Sequence, residues 1–145
     1  MEIKFREANI DDVSKIVALC DECFEEKTDI KMAEQNFIKT KNSDNDIYVI
    51  GEYKGEVVAH AKITVVVTMF EKTGVFSFLN HVCVSKKCRG FGIATELLNV
   101  CEKISRNHGC SEMRLWSLNK RVDAHSCYTK FGFIELDAKC FSKKI

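Results

Sequence analysis

A glycine turn is the first feature of this 145-residue chain that could carry chemistry. It runs from Arg89 to Ala94 as Arg-Gly-Phe-Gly-Ile-Ala, between a strand-like apolar run and an amphipathic helical pattern. Such a turn leaves backbone N–H groups unpaired at the positive end of the helix dipole and lets a ligand approach closely. It is therefore suited to a phosphate group, although a tight turn that binds nothing would have the same sequence.

Two familiar phosphate-binding motifs do not fit this turn. A P-loop needs Gly-Lys-Ser/Thr, but Gly92 is followed by Ile93 and Ala94. A dinucleotide-binding fingerprint needs a third small residue where Thr95 stands, and an acidic residue at the end of the next strand, whereas Glu112 stands at its beginning. Both motifs are excluded.

Cys20 and Cys23 form a single C-x-x-C, whose spacing could suit half of a zinc site or a redox pair. No second C-x-x-C follows. Both cysteines fall on one apolar stripe of a predicted helix, a pattern typical of core packing, together with Val13, Ile16, Val17 and Phe24. We therefore expect no metal, and we interpret the eight cysteines as reduced thiols of a cytoplasmic protein.

The elements that must position these residues follow the order β, α, α, three β, α, β, α, β. Helices are predicted from a cap at Asn9 or Asp11 to Phe24, and then over 32–40, 93–108 and 123–130. Strands are predicted over 3–7, 46–53, 56–70, 75–84, 112–118 and 133–141. This order predicts an α+β fold with an antiparallel meander before the glycine turn.

Composition limits the class of protein. With 46% hydrophobic and 30% charged residues, the chain is expected to form one globular domain over residues 1–145. A net charge of +1 argues against a nucleic-acid partner or binding to an anionic membrane. The apolar run from Val57 to Phe70 is interrupted by His60 and Lys62, so no membrane span is expected. A homodimer is among the oligomeric states that the sequence leaves open.

Two sequence blocks together resemble the GCN5-related N-acetyltransferase (GNAT) family. The turn from Arg89 to Ala94 is similar to that family's acyl-CoA loop, Q/R-x-x-G-x-G/A, and it lies between the fourth strand and the third helix as in the family. The block from Asp123 to Phe133 is similar to the family segment A-x-x-F/L-Y-x-K-x-G-F. The resemblance implies a GNAT acyl-CoA N-acyltransferase fold with a mixed, mostly antiparallel sheet flanked by helices. It also implies direct transfer of an acetyl group from acetyl-CoA to a primary amine.

The resemblance also implies roles for individual residues. Backbone groups would bind the pantetheine arm at Val82, Cys83 and Val84. The pyrophosphate would be held by Arg89, Gly90, Phe91, Gly92, Ile93, Ala94 and Thr95. Asn119 matches a polar position that often contacts the cofactor. Tyr128 matches the residue that would act as the general acid for the departing thiolate, although an aromatic residue at helical spacing is more often part of the core.

The general base is less clear from the sequence. Asn80 stands about where many relatives have a glutamate, and an amide cannot accept a proton. His81 is the first candidate, although strand alternation predicts that it points to the face opposite Asn80. His125 is the second candidate. Covalent transfer through Cys83 or Cys88 is not favoured.

The acceptor amine is not identified by the sequence. An acidic run borders the expected acceptor site and could attract a cation, but it could equally be a solvated helix face; its members are Asp21, Glu22, Glu25, Glu26 and Asp29. We favour the amine of a small molecule and leave open a peptide N-terminus or a protein lysine. The alternatives are a catalytically silent acyl-CoA-binding sensor or partner domain, and a small redox or metal protein built on Cys20 and Cys23.

Overall fold

Five strands form one sheet in chain order, in a computed structural model that describes residues 1–145. The strands are β1 (Lys4–Glu7), β2 (Asp46–Tyr53), β3 (Glu56–Val67), β4 (Val75–Val84) and β5 (Glu112–Arg114). Neighbours from β1 to β4 are antiparallel, and β5 is parallel to β4. The predicted α+β fold with a mixed, mostly antiparallel sheet is confirmed.

Four helices cover the sheet: α1 (Val13–Phe24), α2 (Ile30–Thr40), α3 (Ile93–Asn107) and α4 (Val122–Phe131). A short 3-10 turn precedes α1 and is capped as predicted, because the Asn9 side chain accepts a hydrogen bond from the backbone N–H of Asp11. A second 3-10 turn, Lys86–Cys88, leads into the glycine turn before α3. None of the helices combines the length and apolar composition that crossing a bilayer requires.

The sheet is packed on both faces. On one face, α3 contributes Leu97, Leu98 and Cys101 to a core that includes Ala61 and Ile63 of β3. The other face is covered by α1 and α2, whose buried side chains are Val13, Ile16, Leu19 and Phe37. Residues of α1 therefore contact the face of β3 and β4 that α3 leaves free, and this brings the predicted cysteine stripe onto β4.

Three predicted strands differ from the structure. The strand predicted over 133–141 is wrong: in the structure this segment has no ladder partner, and Ile134 and Phe141 are exposed. Alternation of apolar and polar residues cannot create a strand where no neighbouring strand offers backbone partners. The strand predicted over 112–118 is paired only over Glu112–Arg114, and the strand predicted over 56–70 ends at Val67.

His60 on β3 is a buried histidine with a structural contact. Its ring nitrogen Nδ1 lies 2.9 Å from the Val49 carbonyl oxygen, so Nδ1–H donates to that oxygen and the neutral ring is retained. Burial lowers the pKa of His60 to about 4. Below the ordinary histidine pKa the unfolded chain therefore binds a proton that the folded chain excludes.

We expect this difference to make the protein less stable in mild acid. As the pH falls from about 6.5 to about 4, His60 should remove about 3 kcal/mol from the free energy of unfolding. Urea unfolding of wild type and of His60→Gln at several pH values across this range measures the loss of stability. The variant lacks the titrating ring, so its stability should not show this loss. The two stability curves should converge towards acid; parallel curves would contradict the assignment.

Candidate functional site

The edge of β4 that faces away from β3 is only partly covered. β5 pairs with β4 only at Phe76, Ser77 and Phe78, whereas β3 pairs with β4 as far as Val84. The N–H of Ser85 donates to the Val58 carbonyl of β3 at 2.8 Å. Peptide groups alternate in direction along a strand, so the backbone groups of Val82 and Val84 face the uncovered edge, and those of Cys83 face β3. An uncovered edge can pair with a peptide-like ligand.

A β-bulge lies at the start of this edge. His60 is opposite Cys83, but Lys62 is opposite Asn80, so Ala61 alone faces two residues of β4. One of these, His81, has a φ of 50°, in the left-handed region that few non-glycine residues adopt. The bulge re-aims the exposed His81 ring, whose centroid lies 5.4 Å from that of Phe24 at the end of α1.

The predicted alternation of Asn80 and His81 is therefore wrong. Lys62, which pairs with Asn80, lies over the Tyr48 ring, and Tyr48 packs against Phe37 of α2. Asn80 thus lies on the face that α1 and α2 cover. His81 contacts α1 as well, because the extra residue in the bulge interrupts the two-residue period of the strand.

The glycine turn presents an open helix start beside this edge. Gly90 and Gly92 have φ values of 84° and 80°, and a Cβ added at either would meet no other atom within 4 Å. The first intrahelical bond of α3 runs from Glu96 N–H to the Gly92 carbonyl at 3.1 Å. The N–H groups of the preceding residues in this first turn are consequently free to bind an anion.

Arg89 connects the glycine turn to the uncovered edge of β4. Its Nε–H donates to the Val84 carbonyl at 3.2 Å. The guanidinium therefore lies where the strand edge meets the anion-binding helix start. A ligand that follows the edge of β4 towards α3 would pass this positive charge.

Tyr128 on α4 is close enough to Cys83 of β4 for that thiol to influence its pKa. Its ring is half-buried and makes an edge contact with Phe133, the centroids being 5.8 Å apart. Burial raises the pKa of Tyr128, an effect that the positive charge of Arg121 opposes and Cys83 reinforces. The hydroxyl makes no hydrogen bond to another protein group, so the phenol is a protonated donor without a partner.

Arg121 immediately precedes α4 and was not singled out in the sequence. Its guanidinium carbon lies 4.5 Å from the centroid of the Phe24 ring, the ring that also contacts His81. The half-buried Arg121 has no carboxylate partner among the ion pairs of the structure. The Phe24 ring therefore contacts both the unpaired guanidinium of Arg121 and the imidazole of His81, the first candidate base.

Three thiols meet where α1 crosses β4. The sulfur atoms of Cys20 and Cys83 are 3.9 Å apart, and the Cys23 thiol donates to the Val84 carbonyl at 3.5 Å. Arg89 Nη2 is 3.9 Å from the Cys23 sulfur. The predicted helix stripe is therefore correct, and it ends at the uncovered edge of β4. No group of three or more histidine, cysteine or carboxylate side chains is placed to hold a metal.

The remaining candidates from the sequence, Asn119 and His125, make no distinguishing side-chain contact. Asn119 is exposed in the turn before α4 and makes no side-chain hydrogen bond. His125 lies one turn before Tyr128 on α4 and is half-buried. Between β5 and α4, the Ser117 hydroxyl oxygen is buried without a hydrogen-bond partner. The bulge and the contact with Phe24 make His81 the more distinctive of the two histidines.

A surface depression lies elsewhere, between the end of β1 and α2. It measures about 340 Å³ and is lined in part by Ala8, Ile10, Phe37 and Tyr48. None of the candidate catalytic residues borders it. The strand edge and the anion-binding turn meet instead at the end of β4, which is therefore the candidate functional site.

Comparison with solved structures finds close likeness in fold at low sequence identity. A transcriptional regulator from Bacillus halodurans C-125 is 18% identical, with a TM-score of 0.89 over 99% of this chain and 100% of that one. The glucosamine-6-phosphate N-acetyltransferase of Arabidopsis thaliana is 16% identical, with a TM-score of 0.83 over 99% of both chains. A protein from Clostridium acetobutylicum described as a predicted acetyltransferase, solved with acetyl-CoA, is 20% identical, with a TM-score of 0.78 over 98% and 96% of the two chains.

The sequence itself identifies the family. Comparison with curated proteins gives no match. The model of the acetyltransferase (GNAT) family matches residues 12–133, which include α1, the β4 edge, the glycine turn and α4. The chain therefore belongs to the GNAT acetyltransferase family, as its two sequence blocks predicted.

Proposed function

We propose that this protein transfers the acetyl group of acetyl-CoA directly to the primary amine of a small molecule. The observation that carries the proposal is the continuity of three parts around the end of β4. An uncovered strand edge leads into an anion-binding helix start, and Tyr128, whose hydroxyl is unpartnered, lies close enough to Cys83 on this strand for the thiol to influence its pKa.

The residues present fit acetyl-CoA. The backbone of Val82 and Val84 suits the amide groups of a pantetheine arm, with Cys83 between them on the same strand. The pyrophosphate suits Arg89 and the glycine turn, where added atoms would meet open space. The exposed Asn119 is a further polar group available to the ligand. When bound, acetyl-CoA supplies an activated thioester.

Two side chains would carry out the two proton transfers, one from the amine and one to the departing thiolate. An alkylamine has a pKa of about 10, so a base must take its proton near neutral pH. We assign this step to His81, since the bulge brings its exposed ring onto the α1 side of the edge. We assign donation to the departing thiolate to Tyr128, whose raised pKa keeps it protonated. The alternative of a silent acyl-CoA-binding domain leaves these two unpartnered groups without a role.

The unpaired Arg121 supports a particular class of acceptor. The imidazole of His81 and the guanidinium of Arg121 contact the same Phe24 ring, at 5.4 Å and 4.5 Å from its centroid. Both groups therefore lie against one ring at the end of α1. An amine held near His81 would place a carboxylate or phosphate a few bonds away against Arg121.

The test is a panel of amines in matched pairs, with release of the CoA thiol followed in time. Glucosamine 6-phosphate with glucosamine, and β-alanine with propylamine, separate phosphate from carboxylate. We expect the anionic member of at least one pair to be the better acceptor. Arg121→Gln should lower its kcat/KM by about 10–100-fold, as expected for a lost hydrogen bond to a charged group.

The neutral member of each pair is the control, and its kcat/KM should change little in Arg121→Gln. Equal losses for both members would contradict the acceptor class. Binding of acetyl-CoA with no thiol release above background for any amine, including peptides with a free N-terminus or lysine, would favour the silent binding domain over the enzyme.

A further inference from the structure

We infer that Cys20, Cys23 and Cys83 form a hydroperoxide-sensitive thiol site, in which oxidation links α1 to β4 by a disulfide beside the uncovered strand edge. Nothing in the proposed transfer reaction uses these thiols. The formation of the disulfide is independent of the proposed function, and only its effect on acetyl-CoA binding rests on that function.

The geometry provides one attacking and one resolving thiol. Cys23 is half-buried at the end of α1 and its sulfur contacts the guanidinium of Arg89 at 3.9 Å. Cys83 is buried in β4, 4% exposed, and its sulfur lies 3.9 Å from that of Cys20. The three thiols come from two elements that pack together, so a disulfide between them needs only a local shift.

The environments of Cys23 and Cys83 differ in the way that an attacking thiol and a resolving thiol require. Hydrogen bonding from Cys83 and the charge of Arg89 lower the pKa of Cys23 to about 7, so a large share of this thiol is ionised at neutral pH. The neighbouring thiols and burial raise the pKa of Cys83 well above its usual value. Cys23 is therefore the group that reacts first, and Cys83 remains a neutral thiol until then.

The reaction balances with a hydroperoxide as the oxidant. The Cys23 thiolate attacks the terminal oxygen of ROOH, the O–O bond breaks, and RO⁻ leaves as the alcohol after taking a proton, or as water from hydrogen peroxide. The Cys83 sulfur then attacks the Cys23 sulfenic acid. The S–O bond breaks, hydroxide leaves as water with the Cys83 proton, and the disulfide forms. Two thiols supply the two electrons that the peroxide accepts.

Cys20 extends the site through thiol exchange. Its sulfur is the one within 3.9 Å of Cys83 and could displace Cys23 from the first disulfide. Exchange regenerates the Cys23 thiol and leaves α1 joined to β4 through Cys20. Either disulfide joins the same two elements.

Cofactor binding and thiol chemistry should interfere with each other. The Cys23 thiol donates a hydrogen bond to the Val84 carbonyl oxygen. This oxygen is a backbone acceptor on the uncovered edge, and an amide of the pantetheine arm would need it. Arg89 contacts Cys23 and the same carbonyl. Bound acetyl-CoA would therefore displace Cys23 from both partners, and a disulfide would hold α1 against the edge.

The experiment treats the reduced protein with hydrogen peroxide in the absence of acetyl-CoA. Intact mass should fall by about 2 Da, as for one disulfide, and recover with dithiothreitol. Peptide mapping without reduction should find Cys83 joined to Cys23 or Cys20. Cys23→Ser should slow disulfide formation by about 10-fold or more, since it removes the reactive thiolate.

Cys140→Ser is the matched control, because Cys140 is exposed and lies outside the cluster. Its disulfide formation should equal that of wild type. If Cys23→Ser alters the fold, Cys23→Ala replaces it as the test. Oxygen added without loss of 2 Da, a disulfide that excludes Cys83, or an unchanged rate in both Cys23 variants would overturn the inference.

A second measurement separates this inference from the proposed function. Saturating acetyl-CoA should slow alkylation of Cys23 by iodoacetamide, and the oxidised protein should bind acetyl-CoA more weakly than the reduced protein. If acetyl-CoA does not bind the reduced protein, the proposed function fails while the disulfide result stands. If it binds both forms equally, the link between the thiol site and cofactor binding is overturned.

Discussion

Replacing Tyr128 with phenylalanine is expected to lower kcat by ~10²–10⁴-fold, the range typical of a lost general acid. The ring that packs against Phe133 is retained in the variant, so the fold and the affinity for acetyl-CoA should change little. The loss is confined to the Tyr128 hydroxyl, which makes no hydrogen bond to another protein group.

The acidities explain how the phenol acts. A thiol has a pKa of about 8.5 and a phenol about 10, so full proton transfer to the thiolate is uphill by ~2 kcal/mol at reference values. Burial raises the pKa of Tyr128 further. Tyr128 therefore assists through a hydrogen bond that strengthens as the sulfur gains charge, or through a transfer coupled to loss of the amine proton.

Steady-state and single-turnover kinetics of Tyr128→Phe with the best acceptor of the amine panel test this role. Tyr53→Phe is the matched control, because Tyr53 lies at the end of β2 and its hydroxyl also lacks a hydrogen bond. His81→Gln provides a second comparison, since loss of the base should reduce the rate more at neutral pH than at alkaline pH, where more of the amine is already neutral without a base. A Tyr128→Phe turnover within about threefold of wild type, with chemistry rate-limiting, would assign Tyr128 to the core.

The local parts of the site could be predicted because short stretches of sequence determine them. Gly90 and Gly92 adopt the positive φ values that a tight turn before a helix requires, and Ile93 begins α3 at the predicted residue. The apolar spacing of α1 placed Cys20 and Cys23 on the face that packs on the sheet. In these cases backbone preference and side-chain period act within a few residues.

The parts that could not be predicted depend on distant residues. The bulge at His81 follows from the register of β4 against β3, which strand alternation alone does not specify. Cys20 and Cys83 are 63 residues apart in sequence, and Arg121 at the start of α4 contacts Phe24 at the end of α1, far earlier in the chain. Segment 133–141 is the opposite case. Its local pattern is typical of a strand, but no neighbouring strand pairs with it in the structure.

The second large effect is expected at the glycine turn. Wild-type protein should gain ~2.7 kcal/mol of stability when acetyl-CoA is present at a hundred times its dissociation constant. Gly92→Val should abolish this gain. Gly92 has a φ of 80° and faces open space, so a side chain there would strain the backbone and occupy the volume proposed for the pyrophosphate.

Gly55→Val is the control that separates backbone strain from occupation of the volume proposed for the pyrophosphate. Gly55, in the hairpin between β2 and β3, has a φ of 82° and also faces open space, so valine there introduces comparable backbone strain away from the site. Both variants should melt at a lower temperature than wild type, but only Gly92→Val should lose the shift caused by acetyl-CoA. A folded Gly92→Val with the wild-type shift would mean that the pyrophosphate does not bind at the start of α3, whereas a shift lost in both variants would trace the effect to strain in the fold.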